Sequence, residues 1–188
     1  MRSNTALKKA GLDVVVSGFN TDTIGFSESL LHFINKKNFK GMSITVIGAG
    51  GASRAVVSEL SRLKAHVLIL NRNPKRALEL AKKYKFESGM IDTDGLKRVK
   101  KFSDIIINTT SVGMEKSGTE NNDPISQFNF SGKEVVMDII YKPSMTPLLK
   151  RASAKGCRVI NGYDMLLRQA KCQYKFFFNE EYPEHEHA

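Results

Sequence analysis

The sequence predicts an α/β protein: a doubly wound, parallel, Rossmann-like sheet with flanking helices at both ends. Three observations carry this. Short, nearly continuous β-branched runs recur along the chain, the pattern of strands buried on both faces. Longer amphipathic stretches separate them, as crossover helices must when neighbouring strands run parallel. A glycine-rich turn, "VIGAGGASRAVV", joins one such run to one such stretch.

Taken in order, residues 13–18 (DVVVSG) read as a strand, and residues 22–36 as a helix with Ile24, Leu30, Leu31 and Ile34 along one side. Residues 42–48 (MSITVIG) are a buried strand and residues 51–63 a helix. Residues 66–70 (HVLIL) form the next strand. Residues 74–84 form a helix that opens on Pro74, tolerated in the first turn because its missing N–H has no partner there. Residues 86–91 (FESGMI) are a weaker strand and residues 104–108 (DIIIN) a clear one. A Gly/Asn/Ser-rich loop over 111–126 leads to the strand at 134–140 (EVVMDII). A helix from about 147 to 155, a strand at 157–161 (CRVIN) and a last helix over 163–178 complete the order. The doubly wound unit therefore spans residues 42–160.

At 188 residues the chain is long enough to bury a core, and 41% hydrophobic with 26% charged residues is ordinary for a globular domain. No run approaches the ~18 apolar residues of a membrane span, no signal-peptide pattern is present, and a cytoplasmic protein is expected. Cys157 and Cys172 lack metal or redox spacing and are expected as reduced thiols. His185 and His187 in the tail are expected to be solvated, and no metal is expected. The net charge of +10 points to anionic partners. Its lysines are scattered, without the basic block or aromatic interleaving of nucleic-acid modules, so a phosphorylated cofactor and a carboxylate substrate explain it better.

In the glycine turn, Gly48 can make the tight bend and Gly50 lets the backbone approach a pyrophosphate. The helix opening near Gly51 would point free N–H groups at that anion. Ser53 stands where the fingerprint has its third glycine, and is small enough to preserve helix–strand packing. About 20 residues on, the next strand ends where such sites place an acid on the adenosine ribose. Here it ends in Asn71-Arg72-Asn73-Pro74-Lys75-Arg76. A carboxylate would repel a 2′-phosphate. A guanidinium grips one through paired N–H bonds, and Lys75 and Arg76 add positive potential beside it. The cofactor expected is NADP.

Six stretches, in this order, resemble shikimate dehydrogenases: "GFNTDTIGF", "GAGGASRA", "NRNPKRA", "NTTSVGM", "MDIIYKPSMTPLL" and "NGYDMLLRQA". The resemblance covers about Asn4 to Phe177 and corresponds to the C-terminal, NADP-binding part of that family. It implies reversible reduction of 3-dehydroshikimate to shikimate by NADPH, in the route to aromatic amino acids. It further implies Asn4, Asp22, Tyr141 and Gln169 as substrate contacts, with Asp22 in the catalytic pair. Gly48, Ala49, Gly50, Gly51 and Ala52 would hold the pyrophosphate, and Asn71 to Arg76 the adenosine end. Thr110, Ser111, Ile139 and Gly162 would lie near the ribose and nicotinamide. Read without the family, Asp22 is a helix-start carboxylate favoured by the dipole. Tyr141 is then a half-buried loop aromatic, Gln169 polar surface, and Met114 and Met165 packing residues.

The resemblance also implies that residues 1–41 are the edge of a substrate domain with its linker helix, and residues 161–188 a terminal helix and tail. No stretch matches the family's Ser-x-Ser segment or its catalytic Lys, and Lys8 and Lys9 carry no supporting motif. The polypeptide is accordingly expected to bind NADP(H) but to reduce little dehydroshikimate, because the forming alkoxide needs a positioned acid. Helix 22–36 and the last helix are expected to leave apolar surface that promotes dimers. Alternatives are a non-catalytic NADP-binding module, half of a split enzyme, and a related quinate or folate dehydrogenase. Arg72 argues against the NAD-preferring quinate class, and Tyr141 and Gln169 against the folate class.

Overall fold

In the computed structural model, residues 20–183 are described. The strand expected at 13–18, Asn4, Lys8, Lys9, His185 and His187 lie outside them. The described elements are α1 (Thr21–Ile34), β1 (Ser43–Ile47), α2 (Gly51–Arg62), β2 (His66–Asn71), α3 (Pro74–Tyr84), β3 (Glu87–Met90), α4 (Thr93–Val99), β4 (Ile105–Asn108), β5 (Val135–Asp138), α5 (Pro147–Ala154), β6 (Arg158–Ile160) and α6 (Tyr163–Phe178). The six strands form one sheet in the order β3-β2-β1-β4-β5-β6, and every neighbouring pair is parallel. This is the doubly wound, Rossmann-like fold.

Alternation along the strands sorts side chains onto two cores. Val67 and Ile69 of β2, with Ile105 and Ile107 of β4, face α1, α2, α3 and α6. Leu68, Leu70 and Ile106 face α4, α5 and the segment carrying Ile125, Phe128 and Phe130. Helix α1 joins the first core through Phe26, Leu30 and Ile34, all buried. Its apolar side is therefore not left bare, contrary to expectation. Met165 of α6 is buried beside it, as a packing residue should be.

Helix starts follow side-chain caps. Asn20 Oδ1 accepts from Asp22 N at α1, Asn73 Oδ1 from Lys75 N at α3, and Thr146 Oγ1 from Leu149 N at α5. Helix α4 has no counterpart in the sequence reading. Gly95 sits mid-helix and weakens its helical signal, yet a Cβ there would lie 1.9 Å from Met90 O, so the close turn demands glycine. Asp92 caps α4 by accepting from Gly95 N at 2.8 Å.

Two buried polar clusters fasten the second face. Arg151 of α5 pairs with Asp123 at 2.7 Å, donates to the carbonyls of Ile125 and Phe128, and lies over the Phe130 ring. Glu134 accepts from Ser131 N and Gly132 N, and from the Cys157 thiol. Burial, together with that carboxylate, pushes the Cys157 thiol up to about 11, so it stays protonated. Cys157 and Cys172 are both free thiols.

Candidate active site

The strand order reverses between β1 and β4, and open α/β sheets bind ligands in the crevice beyond the strand ends at such a point. There β1 runs into the glycine turn and β4 into Thr109, Thr110 and Ser111. Gly48 has φ +112°, and a Cβ on it would lie 2.6 Å from Thr109 Oγ1. Only glycine serves at this bend. At Gly50 and Gly51 a Cβ would instead project into open space, so glycine keeps the mouth of α2 clear. The first N–H groups of a helix have no carbonyl one turn back. Here they face that clear space at the positive end of the α2 dipole. The arrangement fits a pyrophosphate.

Ser53 does more than fill the place of a third glycine. It is fully buried, accepts from Gly50 N at 3.1 Å and pairs with Thr109 Oγ1 at 2.6 Å. Thr109 Oγ1 donates to Ile47 O at 2.7 Å, so the shared proton between the hydroxyls comes from Ser53. The glycine turn is thus tied to the end of β4.

A first cavity of about 470 Å³ opens beside this point, lined by Thr109, Thr110, Ser111, Met114, Ile139, Tyr141 and their neighbours. It brings together Thr110, Ser111, Ile139 and Tyr141, four of the residues expected at the nicotinamide and substrate. Met114 lines it and is 40% exposed, rather than packing in a core as expected. Gly162 abuts the same wall, because its N–H donates to Ile140 O at 3.0 Å and a Cβ would lie 1.9 Å from Ile139 O. Glycine is needed there to seat the start of α6 on the end of β5.

A second cavity of about 540 Å³ runs between α2 and α3, from Ala49, Gly50 and Gly51 past Arg54 and Arg76 to Lys83 and Tyr84. Arg72 and Lys75 do not line it; both are exposed, Arg72 just after β2 and Lys75 in the first turn of α3, the helix that brings Arg76 to the cavity. Asn71 and Asn73 fix the turn between β2 and α3: the Asn71 amide donates to Asn73 O at 3.0 Å, and Asn73 caps α3. Arg54 was not singled out in the sequence. It lies one turn beyond Gly50, on the side of α2 that faces Arg76, a relation only the helix–helix arrangement reveals.

Asp22 and Gln169 line neither cavity; they meet each other, Gln169 Nε2 donating to Asp22 Oδ1. Beside them Gln173 Nε2 donates to Thr21 Oγ1 at 3.1 Å. Among the described residues no cluster of His, Cys, Asp and Glu could hold a metal ion, and no helix is long and apolar enough to cross a membrane.

Sheet, switch point and glycine turn define a Rossmann-like domain with a built dinucleotide crevice. The family model "Shikimate / quinate 5-dehydrogenase" matches residues 30–141. The chain belongs to that family. It is 36% identical over 177 residues to the NADP(+) shikimate dehydrogenase of Nitrosopumilus maritimus, covering 91% of this chain and 62% of that protein. With the NADP(+) shikimate dehydrogenase of Aquifex aeolicus it shares 40% identity over 167 residues, 88% of this chain and 58% of the relative. A crystal structure of shikimate 5-dehydrogenase from Thermus thermophilus, in complex with NADP(H) and shikimate, superposes with a TM-score of 0.74 at 31% identity. That superposition covers 88% of this chain and 59% of the other. The chain thus spans about three fifths of the length of the relatives it matches.

Proposed function

We propose that this chain is the NADP(H)-binding portion of an oxidoreductase that interconverts 3-dehydroshikimate and shikimate. One observation carries the reading. The clear mouth of α2 and a basic cluster where a ribose-binding acid would stand flank the same crevice, in a member of this family. Relatives and a structural neighbour named for NADP support the cofactor.

In this reading the helix mouth from Gly48 to Ala52 receives the pyrophosphate, and Arg72, Lys75 and Arg76 neutralise the 2′-phosphate, with Arg54 facing them. Asn71, Asn73 and Pro74 set the course of the backbone there. Thr110, Ser111, Ile139 and Gly162 form the wall for the ribose and nicotinamide. Bound NADPH supplies the hydride. Asn4, Tyr141 and Gln169 serve the substrate, and Asp22, oriented by Gln169, is the carboxylate of the catalytic pair. The family's catalytic lysine has no matched counterpart, so the 188-residue polypeptide is expected to bind cofactor with little turnover. Adding a polypeptide that carries such a lysine would then start NADPH consumption. A cytoplasmic setting and either self-association or a substrate-domain partner complete the proposal.

Calorimetry with NADPH and NADH tests it. Tight NADPH binding with weak NADH binding is expected; indifference to both, or preference for NADH, would refute it.

A further inference from the structure

At the ends of β4 and β5 four polar side chains form one hydrogen-bonded chain. Thr146 Oγ1 donates to Asp138 Oδ2 at 2.8 Å, and Asn108 Nδ2 donates to Asp138 Oδ1 at 3.1 Å. Asn108 Oδ1 in turn accepts from Thr110 N at 3.0 Å and from Thr110 Oγ1 at 2.7 Å. Thr146, Asp138 and Asn108 are fully buried, so none of them can touch a ligand. Thr110 is only partly buried and lines the first cavity. The chain therefore ends at the wall assigned above to the nicotinamide, and the inference rests on that assignment.

An ionised carboxylate only accepts hydrogen bonds, whereas a side-chain amide has one donating and one accepting end. The charge on Asp138 thus dictates which way the Asn108 amide faces: Nδ2 toward the carboxylate, Oδ1 toward Thr110. Reversed, the amide would present its NH₂ to the Thr110 N–H, donor against donor, and the turn would lose that backbone bond, leaving only the Thr110 hydroxyl able to rotate and accept. We propose that Asp138 and Asn108 are positioning residues for cofactor binding: the carboxylate fixes the Asn108 amide, which holds Thr110 in the shape that receives the nicotinamide half.

Protonation of Asp138 supplies a donor and removes the preference between the two amide orientations. Burial pushes this carboxyl up to about 6, against the hydrogen bonds from Ile140 N, Thr146 and Asn108. The charge of Asp123, itself paired with Arg151 of α5, pushes in the same upward direction. The remaining polar neighbours, Asn108 of β4 and Thr146 at the start of α5, are uncharged. The orienting charge is accordingly lost within a range the folded protein can be studied in.

The test titrates the 188-residue chain with NADPH and with 2′-phospho-ADP-ribose, the same molecule without its nicotinamide, from about pH 8 to about pH 5. Both ligands carry the same 2′-phosphate and the same pyrophosphate, with the same titrations, and they differ only in the nicotinamide ring. The ratio of the two affinities therefore reads the nicotinamide end. In the unsubstituted chain this ratio is expected to fall about fivefold or more as Asp138 takes up its proton. In Asn108→Ala it should be low and flat with pH, with 2′-phospho-ADP-ribose binding retained. In Asp138→Asn, which keeps shape but not charge, it should be flat. A flat ratio in the unsubstituted chain overturns the inference, and needs no variant to fold. So do folded variants that keep both the ratio and its pH response. Binding of neither ligand would overturn the cofactor reading itself; binding of both with a flat ratio overturns only this inference.

Discussion

Gln169 of α6 donates its side-chain amide to the carboxylate of Asp22 on α1, across 147 positions of sequence. The contact exists because Gly25, one turn beyond Asp22, lets the two helices touch. A Cβ on Gly25 would lie 2.6 Å from Met165 O and 3.2 Å from Gln169 Cβ. Helix propensity alone would reward Gly25→Ala by up to about 1 kcal/mol. A backbone oxygen cannot step aside as a side chain can, so overpacking wins and Gly25→Ala should destabilise by about 1–3 kcal/mol. Urea denaturation checks the sign.

The basic run from the end of β2 into α3 discriminates between cofactors only if its charges reach the 2′-phosphate. Arg72→Ala and Arg76→Ala should each weaken NADPH by about tenfold or more, the worth of a charge-assisted hydrogen bond, with little change for NADH. Arg54→Ala should follow the same pattern if the residue facing Arg76 shares the load. Calorimetry with both dinucleotides checks this, and equal losses for the two would remove these residues from the phosphate site.

Asp138 sets a pH dependence of stability with a defined sign. Its folded pKa, raised to about 6 from an ordinary 3.8, means the folded chain holds this proton more tightly than the unfolded one. The contribution is therefore fully present below about pH 4 and lost as pH rises through about 6, an effect of about 2–3 kcal/mol. Asp138→Asn removes the charge and should be relatively more stable than the parent at neutral pH than at about pH 4. Denaturant midpoints of the two proteins across that range measure it, and parallel curves would contradict the assignment.

Arg151 holds residues 123–130 against α5 through one ion pair, two carbonyl contacts and the Phe130 ring. Arg151→Ala strands the largely buried Asp123 carboxylate and should cost about 3–5 kcal/mol. Arg151→Lys should recover little, because an ammonium cannot make the fork of bonds or lie flat on the ring. Thermal unfolding of the two variants provides the comparison.

Phe177 and Phe178 are 75% and 61% exposed near the end of α6, and Tyr163 at its start is 60% exposed. Apolar surface of this kind favours association. Light scattering should show concentration-dependent growth in mass that Phe177→Ser with Phe178→Ser suppresses; a clean monomer at all concentrations would contradict it.

Much of this molecule is legible in the sequence because its strands are buried on both faces and its glycine turn falls between a strand and a helix. The runs at 66–70 and 104–108 announce β2 and β4, and the Pro74 start of α3 is visible from its own chemistry. Residues 134–140 form a shorter strand than the apolar run suggests. Pairing stops at Asp138, where the carboxylate turns to Ile140 N, Thr146 and Asn108 instead of continuing the ladder. What stayed hidden depends on partners in other elements. Gly25 matters through Met165, Gly95 through the carbonyl of Met90, and Asp138 through Asn108. A local pattern cannot reveal a contact whose second member lies in another element.

The buried hydroxyl of Ser53 carries one more consequence. By joining Gly50 to Thr109 it stitches the two banks of the crevice together at the base, where water does not reach. The halves that would cradle opposite ends of a long guest are thereby sewn into a single rigid plank before that guest arrives. Any breathing that admits or releases it must come from the rim, and loosening this seam would sacrifice readiness even where every outward-facing group remained in place.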